Sequence, residues 1–355
     1  MKNHLGFVLS CLCLISELAL GAFAFPRTAR GEEKGAGGAP AGSLARLALG
    51  EKPLSLLEDR LLVRVPTAGK AEPREHGIMA APPSAEEETR IVIDAGQERM
   101  VLMAYEVFAL AGDDLDKAVR ADVAESWGEE AAAVKVEKVG VALPLTAIAL
   151  IPPIGDGTDE ANLLLGLYIR NGDGMVQSIL FYVNPPGASD AAGALTLARK
   201  VAASVTAGKR KLNLEAGPRR FRVAGADGLV VTVPKGFVTS VQKGPDFSVS
   251  WLRKPAPFPR PAPHCGIYVG RHPGYRYVWA DHPRDQVATI QGKLLGQAVE
   301  WKSWGEEDWF TNEVILGHPK DNELKLHVYC SAATREALKA LRDVAETMRM
   351  EEGKK

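Results

Sequence analysis

A helical stripe written twice restricts the fold of this chain more than any other feature. Ala194, Leu195, Ala198, Val201, Ala202 and Val205 recur, in the same spacing, as Ala337, Leu338, Leu341, Val344, Ala345 and Met348. Apolar residues at i, i+1, i+4, i+7, i+8 and i+11 line one face of an α-helix, and such a face must be covered by a sheet or by another helix. Each stripe follows an apolar strand and a serine that predicts the helix start. Val176 to Val183 leads to Ser189 and a helix to about Val205, and Leu324 to Tyr329 leads to Ser331 and a helix to about Met348.

The same order extends upstream. Asn162 to Val183 reads as two strands about the turn Asn171-Gly172-Asp173-Gly174, and Asn312 to Tyr329 as two about Pro319-Lys320-Asp321-Asn322. At the start of each half a strand runs into proline, at Asp59 to Pro66 and at Asp227 to Pro234. The pentapeptide Ser-Trp-Gly-Glu-Glu stands at Ser126 to Glu130 and again at Ser303 to Glu307. Aligned on it, the first half carries about 30 extra residues, assigned to an inserted strand pair around Val134 to Pro152.

The remaining apolar runs read as strands: Arg90 to Ile93, Met100 to Leu110, Leu163 to Ile169, Val238 to Val241, Phe247 to Leu252, Gly266 to Val269, Leu294 to Trp301 and Trp309 to Leu316. A further helix is expected over Asp114 to Ala124, and a short one within Leu44 to Leu57, interrupted by Gly50 and Pro53. The expected class is α+β: two tandem related domains, each an antiparallel sheet closed by a C-terminal amphipathic helix. The first domain spans 56–206, a basic linker 207–220, and the second domain 221–350, after a flexible Gly- and Ala-rich stretch within 25–55.

The N-terminus reads as an export signal. Lys2 precedes the apolar run Leu5 to Ile15, and Ala22-Phe23-Ala24 offers the small residues of a cleavage site, so cleavage is expected before Phe25. The alternative is an uncleaved anchor, but a span needs about 20 apolar residues and Glu17 interrupts the run. Removal of 1–24 takes Cys11 and Cys13 with it and leaves Cys265 and Cys330. Two cysteines in an oxidising compartment predict a disulfide. Closing a loop of about 65 residues would stabilise the fold by about 4 kcal/mol in the chain-entropy model. The alternative is two separate buried thiols.

With 43 Lys and Arg against 44 Asp and Glu, the net charge of -1 argues against a nucleic-acid partner. An apolar fraction of 46% is enough to build real cores, and after signal removal no transmembrane segment is expected. No nucleophile elbow, HExxH, phosphate-cradling loop or Cys-His signature is present, so no catalytic, cofactor or metal residue is assigned.

The densest set of potential ligands is His264, Cys265, His272, His282 and His318. Imidazole and thiolate suit zinc, but the spacing matches no zinc signature, most of these histidines neighbour a proline in a turn-like context, and Cys265 cannot be both bridge and ligand. Asp113, Asp114 and Asp116, and the run Asp156 to Glu160, offer oxygen ligands without calcium-loop spacing, and read as a helix start and a solvated loop. Trp251, Tyr268, Tyr275, Tyr277, Trp279, Trp301, Trp304 and Trp309 concentrate aromatics in the second half, either as a binding groove or as core, with Trp301 expected under the last helix. Pro255 to Pro263 should adopt polyproline II, as a connector or as a protein ligand.

Val231-Thr232-Val233-Pro234-Lys235-Gly236-Phe237 at one end and Ser331 to Met348 at the other, with a weaker echo in the first half, resemble the PsbP-like fold, shared by PsbP and by DcrB-type envelope proteins. The resemblance implies a non-enzymatic role, in keeping with an exported binding or assembly protein of the bacterial cell envelope whose partner is another envelope or secreted protein. The alternative is a metal-binding protein or hydrolase that uses the histidine-bearing loops of the second half.

Overall fold

The computed structural model describes residues 44–67, 69–71, 87–95, 98–153, 162–183, 191–221, 228–244, 246–306, 309–318 and 321–351. Residues 1–24, Ser189 and the run Asp156 to Glu160 lie outside them, as do the turn residues Pro319 and Lys320. The fold is a mixed α and β structure dominated by antiparallel sheets, in two compact units. Of the described residues, one unit takes those up to Lys211 together with Pro257–Arg260, and the other takes those from Leu212 to Ala256 and from Pro261 onward.

In the first unit, seven strands, β1 (Gly69–Ala71), β2 (Glu88–Ala95), β3 (Glu98–Leu110), β4 (Lys135–Val139), β5 (Thr146–Ile151), β6 (Asn162–Arg170) and β7 (Met175–Val183), lie side by side in the order β1-β2-β3-β7-β6-β5-β4. Helix α1 (Leu115–Trp127) follows β3, and α2 (Ala191–Ala203) follows β7. A small three-stranded sheet pairs Leu61–Val63 with Leu54–Leu56 on one side and with Thr206–Ala207 on the other.

In the second unit, β8 (Val238–Lys243), β9 (Phe247–Arg253), β10 (His264–Gly270), β11 (Ala288–Leu294), β12 (Gln297–Glu306), β13 (Trp309–His318) and β14 (Asp321–Ala332) take the order β8-β9-β10-β14-β13-β12-β11. The short helix α3 (Arg276–Trp279) lies between β10 and β11, and α4 (Arg335–Ala345) follows β14. Here Leu229–Val233 is the middle strand of a small sheet, between Gly217–Phe221 and Arg349–Met350. Within each unit the strand after the closing helix thus returns to pair with the strand that precedes the large sheet.

Most of each helical stripe is buried, while Leu195 and Ala337 are only partly so, and Val205 and Met348 lie past the helix ends at Ala203 and Ala345. Leu338, Leu341, Val344, Ala345 and Met348 are buried in one cluster with Val231, Ile267, Trp301 and Val328. Ala194, Ala198, Val201, Ala202 and Val205 are buried in another with Leu61, Leu102, Leu167 and Phe181. Each fully buried large aliphatic side chain contributes about 1.5–3 kcal/mol of burial free energy. Asp114 caps α1 by accepting from the Lys117 amide at 3.0 Å, and Thr334 caps α4 by accepting from the Ala337 amide at 3.1 Å.

Several expectations are corrected. Ser331 is still in β14, and the last helix starts three residues later behind Thr334. The run Leu294 to Trp301 is not one strand. It contains a tight turn in which Leu295 (φ 52°) and Gly296 (φ 81°) both take the left-handed conformation, joining β11 to β12. The pentapeptide is not an equivalent element, since Ser126 to Glu130 ends α1 and runs into a 3-10 turn whereas Ser303 to Glu306 lies in β12. The pair at Val134 to Pro152 is β4 and β5, which hold the edge places that β11 and β12 hold in the other sheet, so it is no insertion. The segment 207–220 ends in strand Gly217–Phe221, and the region of Leu44 to Leu57 holds one 3-10 turn, Leu44–Arg46. Within Pro255 to Pro263, Pro257–Arg260 packs with the first unit, where the Phe258 ring meets Tyr168 at 5.4 Å.

The two large sheets differ on the face turned away from the closing helix. In the first unit, α1 buries Leu115, Val119 and Val123 against Ile148, Leu150 and Val176. In the second unit the equivalent face carries polar and aromatic side chains.

Candidate functional site

Strand alternation sends successive side chains to opposite faces. On β14, Leu326, Val328, Cys330 and Ala332 join the core, which leaves Lys325, His327, Tyr329 and Ser331 on the other face. On β10, Cys265, Ile267 and Val269 go inward, and His264 and Tyr268 outward. On β13, Glu313 pairs in register with Tyr329, and Trp304 of β12 with Thr311. One face of the second sheet therefore gathers Trp251, Arg253, His264, Trp304, Trp309, Glu313, His327 and Tyr329.

Glu313 is the centre of this face. It is fully buried, and its carboxylate accepts four hydrogen bonds: from Trp304 Nε1 at 2.8 Å, His327 Nε2 at 2.9 Å, and the backbone amides of Arg276 at 2.8 Å and Tyr277 at 3.1 Å. Burial by itself would raise its pKa. The hydrogen bonds from His327 and the two amides, with the charge of His327, outweigh burial and hold the carboxyl below its ordinary range. The bond to an ionised carboxylate places a proton on His327 Nε2.

The two amides belong to the start of α3, so Glu313 clamps the connection Arg271 to Val287 onto the sheet. Aromatic and cationic groups continue the layer. Tyr275 meets His327 at 6.2 Å and Tyr277 at 5.3 Å, and the Arg276 guanidinium lies 4.7 Å above the Tyr329 ring. Tyr329 meets Trp251 edge-on at 5.6 Å, and its ring lies over Gly266, where a Cβ would come within 2.2 Å of it. Arg253 covers Trp251 at 4.6 Å and donates to Ser240 Oγ at 2.9 Å, and Trp251 Nε1 donates to Gln242 at 3.2 Å.

His264 lies between Trp251 at 5.6 Å and Trp309 at 6.1 Å. Burial, reinforced by the charges of Arg276 and Arg253, pushes its pKa down to about 3, so it is neutral at any physiological pH. At the outer end of the clamped connection Val278 and Trp279 are 43% and 64% exposed. The Trp279 indole leans over Gly274, where a Cβ would stand 2.8 Å from it.

The histidines singled out from sequence do not converge. His264 and Cys265 are neighbours on β10 and project to opposite faces, so they cannot ligate one metal. His282 packs on Trp304 at 5.3 Å, and His272 is exposed. His318 lines an open cavity of about 800 Å³ with Leu295, Leu316, Arg349 and Met350. Among the described residues no group of three or more His, Cys, Asp or Glu is placed to hold a metal ion. Asp114 is spent on the helix cap and Asp116 on Arg120, 3.0 Å away. Trp301 is fully buried in the core cluster that includes α4, as its place in the sequence suggests.

Cys265 and Cys330 face each other directly across β10 and β14 as free thiols, with their sulfurs 2.9 Å apart, so the expected bridge is not closed in the structure. Sequence reasoning missed Glu313, because nothing near it in the chain marks it. The usable signal was its place opposite Tyr329 once the strand register is known.

The first unit has its own buried ion group. Arg60 Nε meets Glu106 at 3.0 Å and its Nη1 meets Asp173 at 2.7 Å, while Gln177 Nε2 donates to Glu106 at 3.0 Å. Burial nevertheless holds the Glu106 carboxyl above its ordinary range, against the pull of Arg60. This group ties the turn at Asn171 to Gly174 to the segment that carries Arg60.

No family model matches the chain, and no curated protein matches it. Solved structures it is similar to include the crystal structure of MucB in complex with MucA(peri), 12% identical over 75% of this chain and 84% of that one, with a TM-score of 0.19. Another is the complex structure of Pseudomonas aeruginosa MucA/MucB, also 12% identical over 75% and 84% of the two chains, with a TM-score of 0.17. At such scores the likeness supports no argument about function. No described helix is long and apolar enough to cross a membrane.

Proposed function

We propose that this chain is an exported, non-enzymatic binding or assembly protein of the bacterial cell envelope, built from two related α+β domains. Its partner is another envelope or secreted protein. The observation that carries the reading is the clamped connection between β10 and β11. A fully buried carboxylate with four donors fixes its base, and Val278 and Trp279 stand exposed at its end. A large apolar group held out to solvent by a rigid base loses little entropy on meeting a partner.

Glu313 has no lone pair to spare for a reacting proton, and His264 is held neutral between two indoles, so binding fits the face better than acid-base chemistry does. The relatedness of the domains is supported by the common strand order of the two large sheets and by the matched stripes. It accords with the PsbP-like resemblance of Val231 to Phe237 and Ser331 to Met348, which we retain as a proposal. Export rests on the N-terminal reading, and N-terminal sequencing should begin at Phe25; an intact Met1 would refute cleavage.

The surface is tested by placing a photo-crosslinking residue at position 279 of the full chain and, as control, at Lys339 on the exposed side of α4. The expected result is a discrete adduct from 279, absent from 339, that excess wild-type protein competes away and excess Trp279→Ser protein does not. Identical adducts from both positions would overturn the assignment.

A further inference from the structure

We propose that Cys265 and Cys330 close into a cross-strand disulfide while the second unit folds, and that the bond locks the register beneath the Glu313 face. The two residues are direct register partners in adjacent antiparallel strands. Such pairs have Cα atoms about 4.5–5.5 Å apart, inside the span of roughly 4.4–6.8 Å that disulfides occupy. Their sulfurs already lie 2.9 Å apart, so closure needs no change of strand pairing.

Both side chains are fully buried in the core cluster that also holds Leu338 and Leu341 of α4. An oxidant therefore has no access once α4 has packed. Burial also pushes the Cys330 thiol well above its ordinary pKa, which removes the thiolate that thiol exchange requires. The bond must form earlier, while the two strands pair and the helix is still off the sheet.

The chemistry balances through a second disulfide. One cysteine, as thiolate, attacks a small-molecule or protein disulfide and expels one of its sulfurs as a thiolate. The other cysteine, deprotonated, then displaces the second sulfur from the mixed disulfide. Each cysteine gives up one proton, two electrons pass to the oxidant, and the oxidant leaves as two thiols.

The consequence reaches the opposite face. His264 flanks Cys265, and Tyr329 and Ser331 flank Cys330, so the bond lies directly under the aromatic layer. A one-residue slip of β14 against β10 would carry His327 and Tyr329 into the core. The disulfide forbids that slip.

The inference rests on export only for its supply of oxidant, and the test separates the two. The full chain is denatured and reduced, refolded in a mixture of oxidised and reduced glutathione, then unfolded, alkylated without reduction and digested. Mass spectrometry should find one linked peptide pair holding Cys265 and Cys330, lighter by two hydrogens, with neither cysteine alkylated. The folded product should keep the link in reductant and lose it only in reductant plus denaturant. Its Tm should exceed that of the reduced protein, and of the Cys265→Ala, Cys330→Ala double variant, by on the order of 10 °C. Alkylation of both Cys265 and Cys330 after refolding would overturn the proposal, as would equal Tm values for the oxidised and reduced forms. A link formed in glutathione but absent from protein recovered from cells would overturn export and leave the pairing standing.

Discussion

Glu313 shows how a single buried charge can organise a surface. Its four donors come from β12, β14 and α3, and each would lose its partner with the carboxylate. Glu313→Gln keeps the shape but replaces an acceptor oxygen by a donor. It should destabilise the second unit by about 2–4 kcal/mol at pH 7, read from urea denaturation. Because the folded carboxyl is held below its ordinary pKa, its stabilisation is complete above the unfolded value and fades as pH falls through the folded one. The deficit of the variant should therefore shrink below about pH 4.

Asp122 on α1 is the opposite case. Burial, then the charge of Glu125, raises it to about 6 against a hydrogen bond from Tyr168. The folded state prefers the protonated form, so its contribution is full below pH 3.8 and is lost as pH rises through about 6. Asp122→Asn should then raise stability at pH 7.5 by up to about 3 kcal/mol. Near pH 3 it should change little. A gain of the same size at both pH values would count against this account.

At the scale of elements, the clamped connection and α4 are made in different ways. Helix α4 is specified locally: an apolar stripe, a threonine cap, and the ion pair of Lys339 with Asp343 at 2.7 Å one turn on. The connection from Arg271 to Val287 has little helix of its own, the single turn of α3 and a 3-10 turn at Arg284–Gln286, and depends on what it meets on the sheet. Trp304→Phe removes one of the four donors to Glu313 and keeps most of the ring. The loss of about 1.4 kcal/mol should speed hydrogen exchange at the Arg276 and Tyr277 amides about tenfold. Amides of α4 should be unaffected. Unchanged exchange at both sites would show that Glu313 does not hold the connection in place.

At the scale of the whole molecule, the two largest hydrophobic clusters among the described residues each include the buried face of one helix, α2 in the first unit and α4 in the second. Leu197→Ala and Leu341→Ala each remove a fully or almost fully buried leucine, and each should cost about 2–5 kcal/mol. Trp127 belongs to the first unit, whereas Trp251, Trp279, Trp301, Trp304 and Trp309 belong to the second. Tryptophan fluorescence should accordingly follow Leu341→Ala far more than Leu197→Ala, with far-ultraviolet circular dichroism reporting both. Equal fluorescence shifts from the two variants would argue against separate cores.

What the chain determined by itself is what short-range periodicity can encode. The two stripes, the Asp114 cap, the turn at Asn171 to Gly174 and most strands depend on neighbours a few residues apart, and they stand where the sequence places them. The same locality explains the failures. Ser-Trp-Gly-Glu-Glu ends a helix in one place and runs along a strand in the other, because five residues carry less weight than the sheet that receives them. The Leu295-Gly296 turn was legible from its glycine, but the apolar run on either side hid it. Tertiary structure alone decided that Trp304, three places after the buried Trp301, turns to Glu313, and that Cys265 and Cys330 meet as direct register partners on the core face of adjacent strands. Those outcomes follow from strand register, a long-range choice in which a shift of one residue exchanges the two faces of a sheet.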